Sequence, residues 1–402
     1  MAAPIVFYVP GLYSSTLQKS SGCVPGGEWK MPHSLLRSLV TGNHGHSNLS
    51  LPITWTKDDN GVYVQDKDDI YADGCLRAVQ SKLLNVLETL HRNGMIELHT
   101  IPWDWRRSFD EGEKCVSDKI MTVCQKMASG KRVIIMSHST GAMLVWPIIN
   151  KHPELFSAWI NAAGCQQLTG NLFLREFSHG WDISYVRCLS KEVYFTFTGL
   201  YSYFQLPGEK WGGDGDSDLV DKNGNFVDRN DVDIYAVSTW EKYKLGIYGW
   251  KEGNGGCVTP EERQHLSHAL AAAKRYREKT FFQGGKQYGT SLLDKDRSEY
   301  NNIRIICYGS IASQAHCGYE IDLDTHTMDV RESKCTTSGD GTLYAENWMN
   351  VPGDLDVEIV MAQEGSTHVT LVEDEKLHKL MIETFFQSDE LAKVSASKLL
   401  GL

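Results

Sequence analysis

Apolar runs of strand length recur along the chain and alternate with segments of helical periodicity. Six such runs cover residues 4–9, 96–102, 132–137, 158–163, 303–309 and 357–362. Between the first two runs, leucine and valine at 83, 86, 87 and 90 fall on one face of a predicted helix that ends before Gly94. Continuous apolar strands that alternate with helices are typical of a parallel sheet covered on both faces. The pattern therefore predicts an α/β fold.

The alternation of strands and helices is interrupted twice. Residues 165–280 are rich in aromatic residues and glycine, with a predicted hairpin at Asn223-Gly224 and a helix that starts at the capping pattern Thr259-Pro-Glu-Glu. A shorter interruption follows the first strand. We predict an α/β core of residues 1–164 and 281–402, a lid-like insertion at about 19–60, and a cap subdomain of residues 165–280. Open α/β sheets keep their sites at the carboxyl edge that such insertions decorate.

Composition limits the kinds of molecule that the protein is expected to bind. The chain has 402 residues, 41% of them hydrophobic, and a formal net charge of −11. This acidic balance argues against nucleic acid and against electrostatic capture by anionic lipid, so any membrane contact is expected to be apolar and transient. No apolar run reaches the roughly 18 residues of a membrane-spanning helix. The chain as given begins with a predicted strand rather than a signal peptide, which favours a cytoplasmic location with peripheral membrane contact; a trimmed sequence is the alternative.

The sequence predicts neither a metal site nor an organic cofactor. Aspartates alternate at 214–218 as in a calcium loop, but Leu219 and Asn225 stand where an EF-hand needs glycine and glutamate. His265 and His268 lie one helical turn apart without a third ligand nearby.

The ten cysteines form no CxxC pair, and free thiols are expected. Cys317 and Cys335 bracket a predicted hairpin that could bring them together. The sequence leaves open whether these two form a disulfide.

The stretch "RVIIMSHSTGAM" at 132–143 carries the candidate nucleophile. It passes from an apolar strand to a helix within a few residues, which strains the turning residue and requires small neighbours two positions away on each side. Ser137 and Gly141 meet this requirement around Ser139, which is predicted to project above the sheet. Ser137 departs from the usual G-x-S-x-G pattern. The alternative is a plain polar loop that ends in a helix cap.

An α/β-hydrolase needs an acid and then a histidine after the nucleophile, each in a loop behind a late strand. Asp340 follows the run at 303–309 and the predicted hairpin, and His368 follows the run at 357–362. We predict that His368 is the general base and that Asp340 orients it. Other residues could fill these roles: Glu364, Glu373 or Asp374 as the acid, and His378 as the base.

The loop after the first strand is the expected source of a second oxyanion donor. Gly11 allows the main chain to approach a substrate closely, and the donors would be the N–H groups of Leu12 and Thr140. A Pro-Gly turn without function is the alternative. His138 adjoins the nucleophile, but neighbouring side chains on a tight turn diverge, so we interpret it as structural.

A set of motifs follows one order over nearly the whole chain: PIVFYVPGLYSSTL, WKMPHSLLRSLV, PWDWRRS, the Ser139 turn, STWEKYKLGIY, LAAAKRYREK, GDGTL and THVTLVEDEKLHKLM. As a set they resemble the lecithin:cholesterol acyltransferase family, which includes lysosomal phospholipase A2 and the phospholipid:diacylglycerol acyltransferases. Two features depart from that family. "NAAGCQQLTG" stands where members often have a glycine-rich segment, and Cys23 and Cys307 lack the disulfide partners of the secreted members.

The resemblance implies a triad of Ser139, Asp340 and His368, with Leu12 and Thr140 as oxyanion donors. It also implies a cap over the site and an acyl-enzyme, with phospholipid as acyl donor and water or a lipid alcohol as acceptor.

We therefore expect a serine-dependent lipid acyl-ester hydrolase or O-acyltransferase that needs no cofactor. A soluble carboxylesterase or thioesterase is the alternative enzyme, and a non-catalytic lipid-binding protein is less favoured. The aromatic stretch at 194–204 is predicted to be cap core, with an acyl-chain tunnel or a membrane-docking face as alternatives. Asp104 and Arg106 are predicted to form a buried pair that orients a loop near the site.

Overall fold

A computed structural model describes the chain over residues 3–20, 49–127, 130–165, 170–183, 186–204, 206, 219–221, 232–283, 286–287, 293–316, 319–322, 327–329, 336–343, 345–349, 351–353 and 355–387. Its strands are β1 Ile5–Val9, β2 Ser15–Lys19, β3 Trp55–Lys57, β4 Tyr63–Gln65, β5 Ile70–Cys75, β6 Glu97–Thr100, β7 Val133–His138, β8 Ala158–Ala162, β9 Trp181–Ile183, β10 Val186–Leu189, β11 Leu219–Asp221, β12 Phe282–Gln283, β13 Lys286–Gln287, β14 Arg304–Gly309, β15 Ser313–His316, β16 Tyr319–Asp322, β17 Thr327–Asp329, β18 Thr336–Gly339 and β19 Glu358–Met361. Its α-helices are α1 Ser81–Arg92, α2 Phe109–Cys124, α3 Gly141–Lys151, α4 Gly170–His179, α5 Lys191–Phe195, α6 Val237–Lys242, α7 Ile247–Gly253, α8 Pro260–Phe281, α9 Ala345–Met349 and α10 Glu375–Phe386.

The main sheet has six strands among the described residues, in the order β19-β14-β8-β7-β1-β6, and all neighbours run parallel. These are the six runs that the sequence predicts as strands, so that prediction is confirmed. Because the strands are parallel, their carboxyl ends share one edge, where their following loops gather.

Both faces of the sheet are covered, as predicted. Phe7 and Val9 of β1 belong to one apolar cluster with α2, α3 and the aromatic residues of segment 165–280. Val6 and Tyr8 of the same strand belong to a second cluster with α1 and α10. The period of two along β1 therefore places alternate side chains in two layers.

Helix α8 begins as its sequence predicts. The Thr259 Oγ1 accepts from the Glu262 N–H at 3.2 Å, and a Glu262 carboxylate oxygen accepts from the Thr259 N–H at 2.9 Å. This reciprocal pair is a capping box, in which each side chain satisfies a main-chain donor of the other residue. The hairpin predicted at 223–224 lies outside the described residues.

The aromatic stretch at 194–204 is mainly core. Residues 194–204 are buried, and Phe177 and Trp240 pack on Tyr201 with ring centroids 4.4 and 5.7 Å away. Tyr194 and Tyr203 in addition face the cavity described below. The core interpretation is therefore confirmed, and the stretch also forms part of a cavity wall.

The predicted pair of Asp104 and Arg106 is present, with 2.6 Å between a carboxylate oxygen and a guanidinium nitrogen. Arg106 is fully buried and also contacts Asp68 at 2.7 Å and the Leu49 carbonyl at 3.0 Å. The pair thus ties the segment around residues 49–75 to the loop before α2. Most of the predicted lid-like insertion lies outside the described residues.

Cys75, Cys115, Cys124, Cys257 and Cys307 are free thiols. The hairpin predicted between Cys317 and Cys335 is present as the antiparallel pair β16–β17. Both cysteines themselves, like Cys23, lie outside the described residues. Within the part of the chain that the structure describes, no helix combines the length and the apolar character needed to cross a bilayer.

Candidate active site

Ser139 occupies the turn between β7 and α3. Its φ of 52° is in the left-handed region, as expected for a residue at so tight a strand-to-helix turn. The Ser139 N–H donates to the Ala162 carbonyl at 3.0 Å, and its own carbonyl accepts from Ala142 and Cys165 at 3.0 and 3.1 Å. These main-chain bonds hold the strained conformation. We refer to residues 137–141 as the elbow.

The small neighbours of Ser139 are required by close main-chain packing. A Cβ on Gly141 would lie 2.5 Å from the Val9 carbonyl oxygen, closer than real Cβ atoms come. Ser137 is fully buried, and its Oγ accepts from the Trp159 indole N–H at 2.8 Å. The serine that replaces the usual glycine therefore satisfies a buried donor that would otherwise lack this acceptor.

The structure brings the three predicted triad residues together, although they are far apart along the chain. His368 Nε2 lies 2.9 Å from Ser139 Oγ, and His368 Nδ1 lies 2.7 Å from an Asp340 carboxylate oxygen. Asp340 follows β18, and His368 follows β19. Asp340 is fully buried and His368 is 8% exposed. A hydroxyl, an imidazole and a carboxylate in this series form a serine-nucleophile arrangement.

The charge of Asp340 is stabilised by its surroundings. Burial by itself would raise the pKa of this carboxyl, but attraction to His368 and hydrogen bonds from His368 and from the Leu343 and Thr342 N–H groups lower it below the usual value. The two main-chain donors lie 2.7 and 3.0 Å from Oδ1. Asp340 is therefore ionised and oriented toward His368 at neutral pH.

The alternative acids and base have other contacts. Asp374 accepts from the Tyr308 hydroxyl at 2.6 Å and caps α10. Glu373 accepts from the Lys82 N–H, and His378 Nε2 lies 3.0 Å from the Val372 carbonyl. Glu364 is exposed. The contacts given for Asp374, Glu373 and His378 stabilise the fold and involve neither Ser139 nor His368.

Loop 10–14, which follows β1, packs directly on the elbow. A Cβ on Gly11 would lie 2.9 Å from Ser139 Cβ, so only glycine allows this approach. The Trp103 indole N–H donates to the Pro10 carbonyl at 2.8 Å, which anchors the loop from the PWDW segment. Leu12 and Thr140, the predicted oxyanion donors, both border the cavity above Ser139.

A cavity of about 470 Å³ opens above Ser139. The described residues that line it are Leu12, Tyr13, Ser14, Leu76, Val79, His138, Ser139, Thr140, Cys165, Phe173, Glu176, Tyr194, Tyr203, Thr342, Leu343, His368 and Val369. Most of the wall is apolar or aromatic, and Val369, beside the histidine, is 51% exposed. A volume of this size suits an organic ligand rather than a single water.

Sequence reasoning missed several contacts that build this site. The Thr140 and Tyr203 hydroxyls form a hydrogen bond, and so do those of Tyr13 and Tyr194. Tyr13, which lines the same cavity as Ser139, has a φ of 59° and is a second strained residue there. These bonds join loop 10–14 and the elbow to segment 194–203, and no periodic signal in the sequence points to them.

Within the described residues, no group of three or more histidine, cysteine, aspartate or glutamate side chains could hold a metal ion. His265 Nδ1 accepts a hydrogen bond from the Trp55 indole N–H at 3.1 Å, and its Nε2 lies 3.0 Å from the Phe195 carbonyl oxygen. His268 stacks on Tyr63 with ring centroids 4.1 Å apart. Packing accounts for both histidines, and the aspartates at 214–218 lie outside the described residues.

No protein-family model matches the chain. The uncharacterized protein YJR098C of Saccharomyces cerevisiae is 22% identical over 221 residues, a match that covers 53% of this chain and about a third, 32%, of the yeast protein. A solved chain of the Tle4–Tli4 complex overlays 98% of this chain and 100% of its own length, with a TM-score of 0.56 and 11% identity. Carboxylesterase CesB (YbfK) of Bacillus subtilis covers 96% of this chain and 85% of its own, with a TM-score of 0.33 and 8% identity.

At 11% identity the first overlay concerns the fold alone. The chain has the α/β-hydrolase fold, with a parallel central sheet and helices on both faces, and the predicted fold class is confirmed. The turn at Ser139 lies directly after β7, a central strand of that sheet. The site has the groups that serine-hydrolase chemistry requires.

Proposed function

We propose that the chain is a serine-dependent acyl-ester hydrolase or O-acyltransferase that acts on glycerophospholipid through an acyl-enzyme. The observation that carries the proposal is the continuous series of contacts from Asp340 through His368 to Ser139, with 2.7 and 2.9 Å between the bonded atoms, beneath a largely apolar cavity. The order of motifs along the chain, which resembles the lecithin:cholesterol acyltransferase family, supports the choice of phospholipid.

Acyl transfer to the enzyme begins when His368 Nε2 takes the proton of the Ser139 hydroxyl and Oγ attacks the ester carbonyl carbon. The carbonyl π electrons move to the oxygen, where the N–H groups of Leu12 and Thr140 stabilise the negative charge. The C–O bond to the leaving alcohol then breaks, and that oxygen takes the proton from His368. Asp340 stabilises the imidazolium in the interval.

The second half of the reaction repeats these steps in reverse with a new nucleophile. Water attack on the acyl-Ser139 ester releases a fatty acid, whereas attack by an alcohol releases a new ester. His368 removes the proton of the attacking group and returns it to Ser139 Oγ. The outcome depends on whether an alcohol or water occupies the cavity during the lifetime of the acyl-enzyme.

The cavity wall supports a lipid acyl group as the part of the substrate that binds next to Ser139. Leu76, Val79, Phe173 and Leu343 provide apolar surface, which gains about 0.8 kcal/mol for each buried methylene of a chain. Val369, which borders the same cavity, leaves an apolar side chain exposed at the surface. We therefore propose transient membrane contact at this face.

The test uses the purified chain with vesicles of phosphatidylcholine, with and without sterol, diacylglycerol or a long-chain alcohol, followed by lipid mass analysis. Ser139→Ala, with an unchanged unfolding midpoint, is the control. We expect lysophospholipid together with fatty acid or a new ester, all abolished in Ser139→Ala. Retained turnover in Ser139→Ala would overturn the proposal. Turnover of short monomeric esters without turnover of vesicles would identify a soluble carboxylesterase instead.

A further inference from the structure

His138 stands between the nucleophile and the loop that carries the base. Its side chain is 7% exposed, and its Nε2 lies 3.2 Å from the main-chain carbonyl oxygen of His368. The two imidazole rings are 5.4 Å apart between centroids. The side chain next to Ser139 therefore reaches a residue that is 230 positions away in the sequence.

The carbonyl fixes the tautomer of the neutral His138 ring. A carbonyl oxygen only accepts, so Nε2 carries the hydrogen and Nδ1 of the neutral ring does not. Burial lowers the pKa of His138 to about 3, and repulsion from His368 acts in the same direction. The ring is therefore neutral at physiological pH and adds no positive charge beside the imidazolium that forms on His368.

The main chain of His368 is held from two sides. Its N–H donates to the carbonyl of Asp340 at 2.9 Å, and its carbonyl accepts from His138. Hydrogen bonds with Asp340 and with His138 of the elbow therefore hold the two peptide groups on either side of the His368 side chain. Since Ser139 directly follows His138, the hydrogen bond links the main chain of the base to the residue adjacent to the nucleophile.

His138 also contacts loop 10–14. A Cβ on Gly11 would lie 3.1 Å from the His138 carbonyl oxygen and 3.3 Å from its Nδ1. The ring therefore packs against the loop that bears the Leu12 N–H while its other nitrogen holds the His368 loop. One side chain contacts both loops that converge on Ser139.

His378 provides a comparison within the same region. Its Nε2 lies 3.0 Å from the carbonyl of Val372, and it is 4% exposed. The contact is of the same kind and involves the same stretch of chain, but its acceptor lies four residues beyond His368. If His138 had only a structural role, equivalent substitutions at His138 and at His378 would change the activity to the same extent.

We propose that His138 is a positioning residue that holds His368 in line with Ser139 through its N–H donation to the His368 carbonyl. This inference rests on the proposed function, because it concerns the same reaction. Without the donor, the His368 loop relaxes and the 2.9 Å contact to Ser139 lengthens. A displacement of about 1 Å in an active site lowers turnover by roughly 10²-fold.

The experiment compares glutamine and methionine at each of the two histidine positions. Glutamine retains an N–H donor, whereas methionine has nearly the same length and no donor. His138→Gln and His138→Met are measured beside His378→Gln and His378→Met. The readouts are the rate of Ser139 labelling by a fluorophosphonate, kcat and KM for a p-nitrophenyl ester, and the unfolding midpoint in urea.

We expect the glutamine variant at 138 to label and turn over about 10²-fold faster than the methionine variant, with similar KM values. At 378 the two variants should be equal in rate, although methionine lowers the unfolding midpoint at both positions. Equal rates for the two variants at 138 would overturn the inference. So would a methionine effect at 378 as large as that at 138. Failure of the unaltered chain to label would overturn the proposed function, and the inference with it.

Discussion

Replacing Asp340 by asparagine tests which carboxylate orients the base. The two oxygens of Asp340 have different partners: Oδ1 accepts from the Leu343 and Thr342 N–H groups at 2.7 and 3.0 Å, and Oδ2 faces His368 Nδ1 at 2.7 Å. An asparagine must keep its oxygen toward the two main-chain donors, so its NH₂ group faces His368. Nδ1 must then accept, which moves the ring hydrogen to Nε2, and Nε2 can no longer take the proton of Ser139.

The expected loss of activity follows from the wrong tautomer of His368. Loss of the correct tautomer in a serine triad lowers kcat by about 10⁴-fold, which corresponds to about 5 kcal/mol of transition-state stabilisation. The folded state loses much less, because the asparagine retains both main-chain hydrogen bonds and replaces a charge-assisted bond by a neutral one. We expect the free energy of unfolding to fall by about 1 to 3 kcal/mol.

Asp374→Asn is the matched control. Asp374 accepts from the Tyr308 hydroxyl at 2.6 Å and from the Gln363 and Lys376 N–H groups at 2.7 and 2.9 Å, so the amide should destabilise the fold by about 1 to 3 kcal/mol. Turnover should stay within about tenfold of the unaltered chain, a change of about 1.4 kcal/mol. Ester hydrolysis and urea unfolding are measured for both variants. A loss of less than about tenfold in Asp340→Asn, or near-complete loss in Asp374→Asn while it remains folded, would refute the assignment of the acid.

Three further changes give distinct outcomes. Ser137→Gly restores the usual elbow pattern but removes the acceptor of the buried Trp159 N–H, so the free energy of unfolding from urea titration should fall by about 1 to 3 kcal/mol with turnover retained. Gly11→Ala places a methyl group 2.9 Å from Ser139 Cβ and should lower kcat by about 10²- to 10³-fold, as for loss of one oxyanion donor, while circular dichroism stays native. Burial lowers the pKa of His265 to about 4, so between pH 6.5 and pH 4 the unfolded chain binds the extra proton first, and this histidine should contribute a fall of about 1.4 kcal/mol in the unfolding free energy for each pH unit of acidification. His265→Phe should make that slope shallower; an unchanged slope would show that this histidine does not cause it.

Local pattern was sufficient for the main sheet and for the position of Ser139 at its turn. The four inner strands β1, β7, β8 and β14 are largely apolar because a parallel strand between two helical layers is buried on both sides. The edge strands β6 and β19 are only partly buried. Ser139 was identifiable because the elbow restricts the residues on either side of it. The fixed order of acid and base after that serine limited these roles to a few candidates, among them Asp340 and His368.

The contacts that support the site were not predictable in the same way. His138 reaches the His368 carbonyl across 230 positions, and Trp103 reaches the Pro10 carbonyl across 93. A histidine at the end of a strand or a tryptophan in a loop gives no periodic signal, and its partner is a main-chain carbonyl that every residue possesses. Such pairs follow from the positions of two loops in space, which periodicity along one strand or helix does not encode.

Strain in the main chain explains why changes in the triad should leave the fold intact. Tyr13, Ser139 and Ala163 have φ values of 59°, 52° and 45°, and they follow β1, β7 and β8, which are neighbours in the sheet. Each such conformation costs about 1 to 3 kcal/mol, which the surrounding structure must offset. At Ser139 and Ala163 the compensating bonds are made by main-chain N–H groups, to Ala162 and Tyr308 at 3.0 and 2.7 Å. Because the geometry is held by main-chain atoms, the hydroxyl of Ser139 can be removed without releasing the turn, and activity and stability become separable measurements at this site.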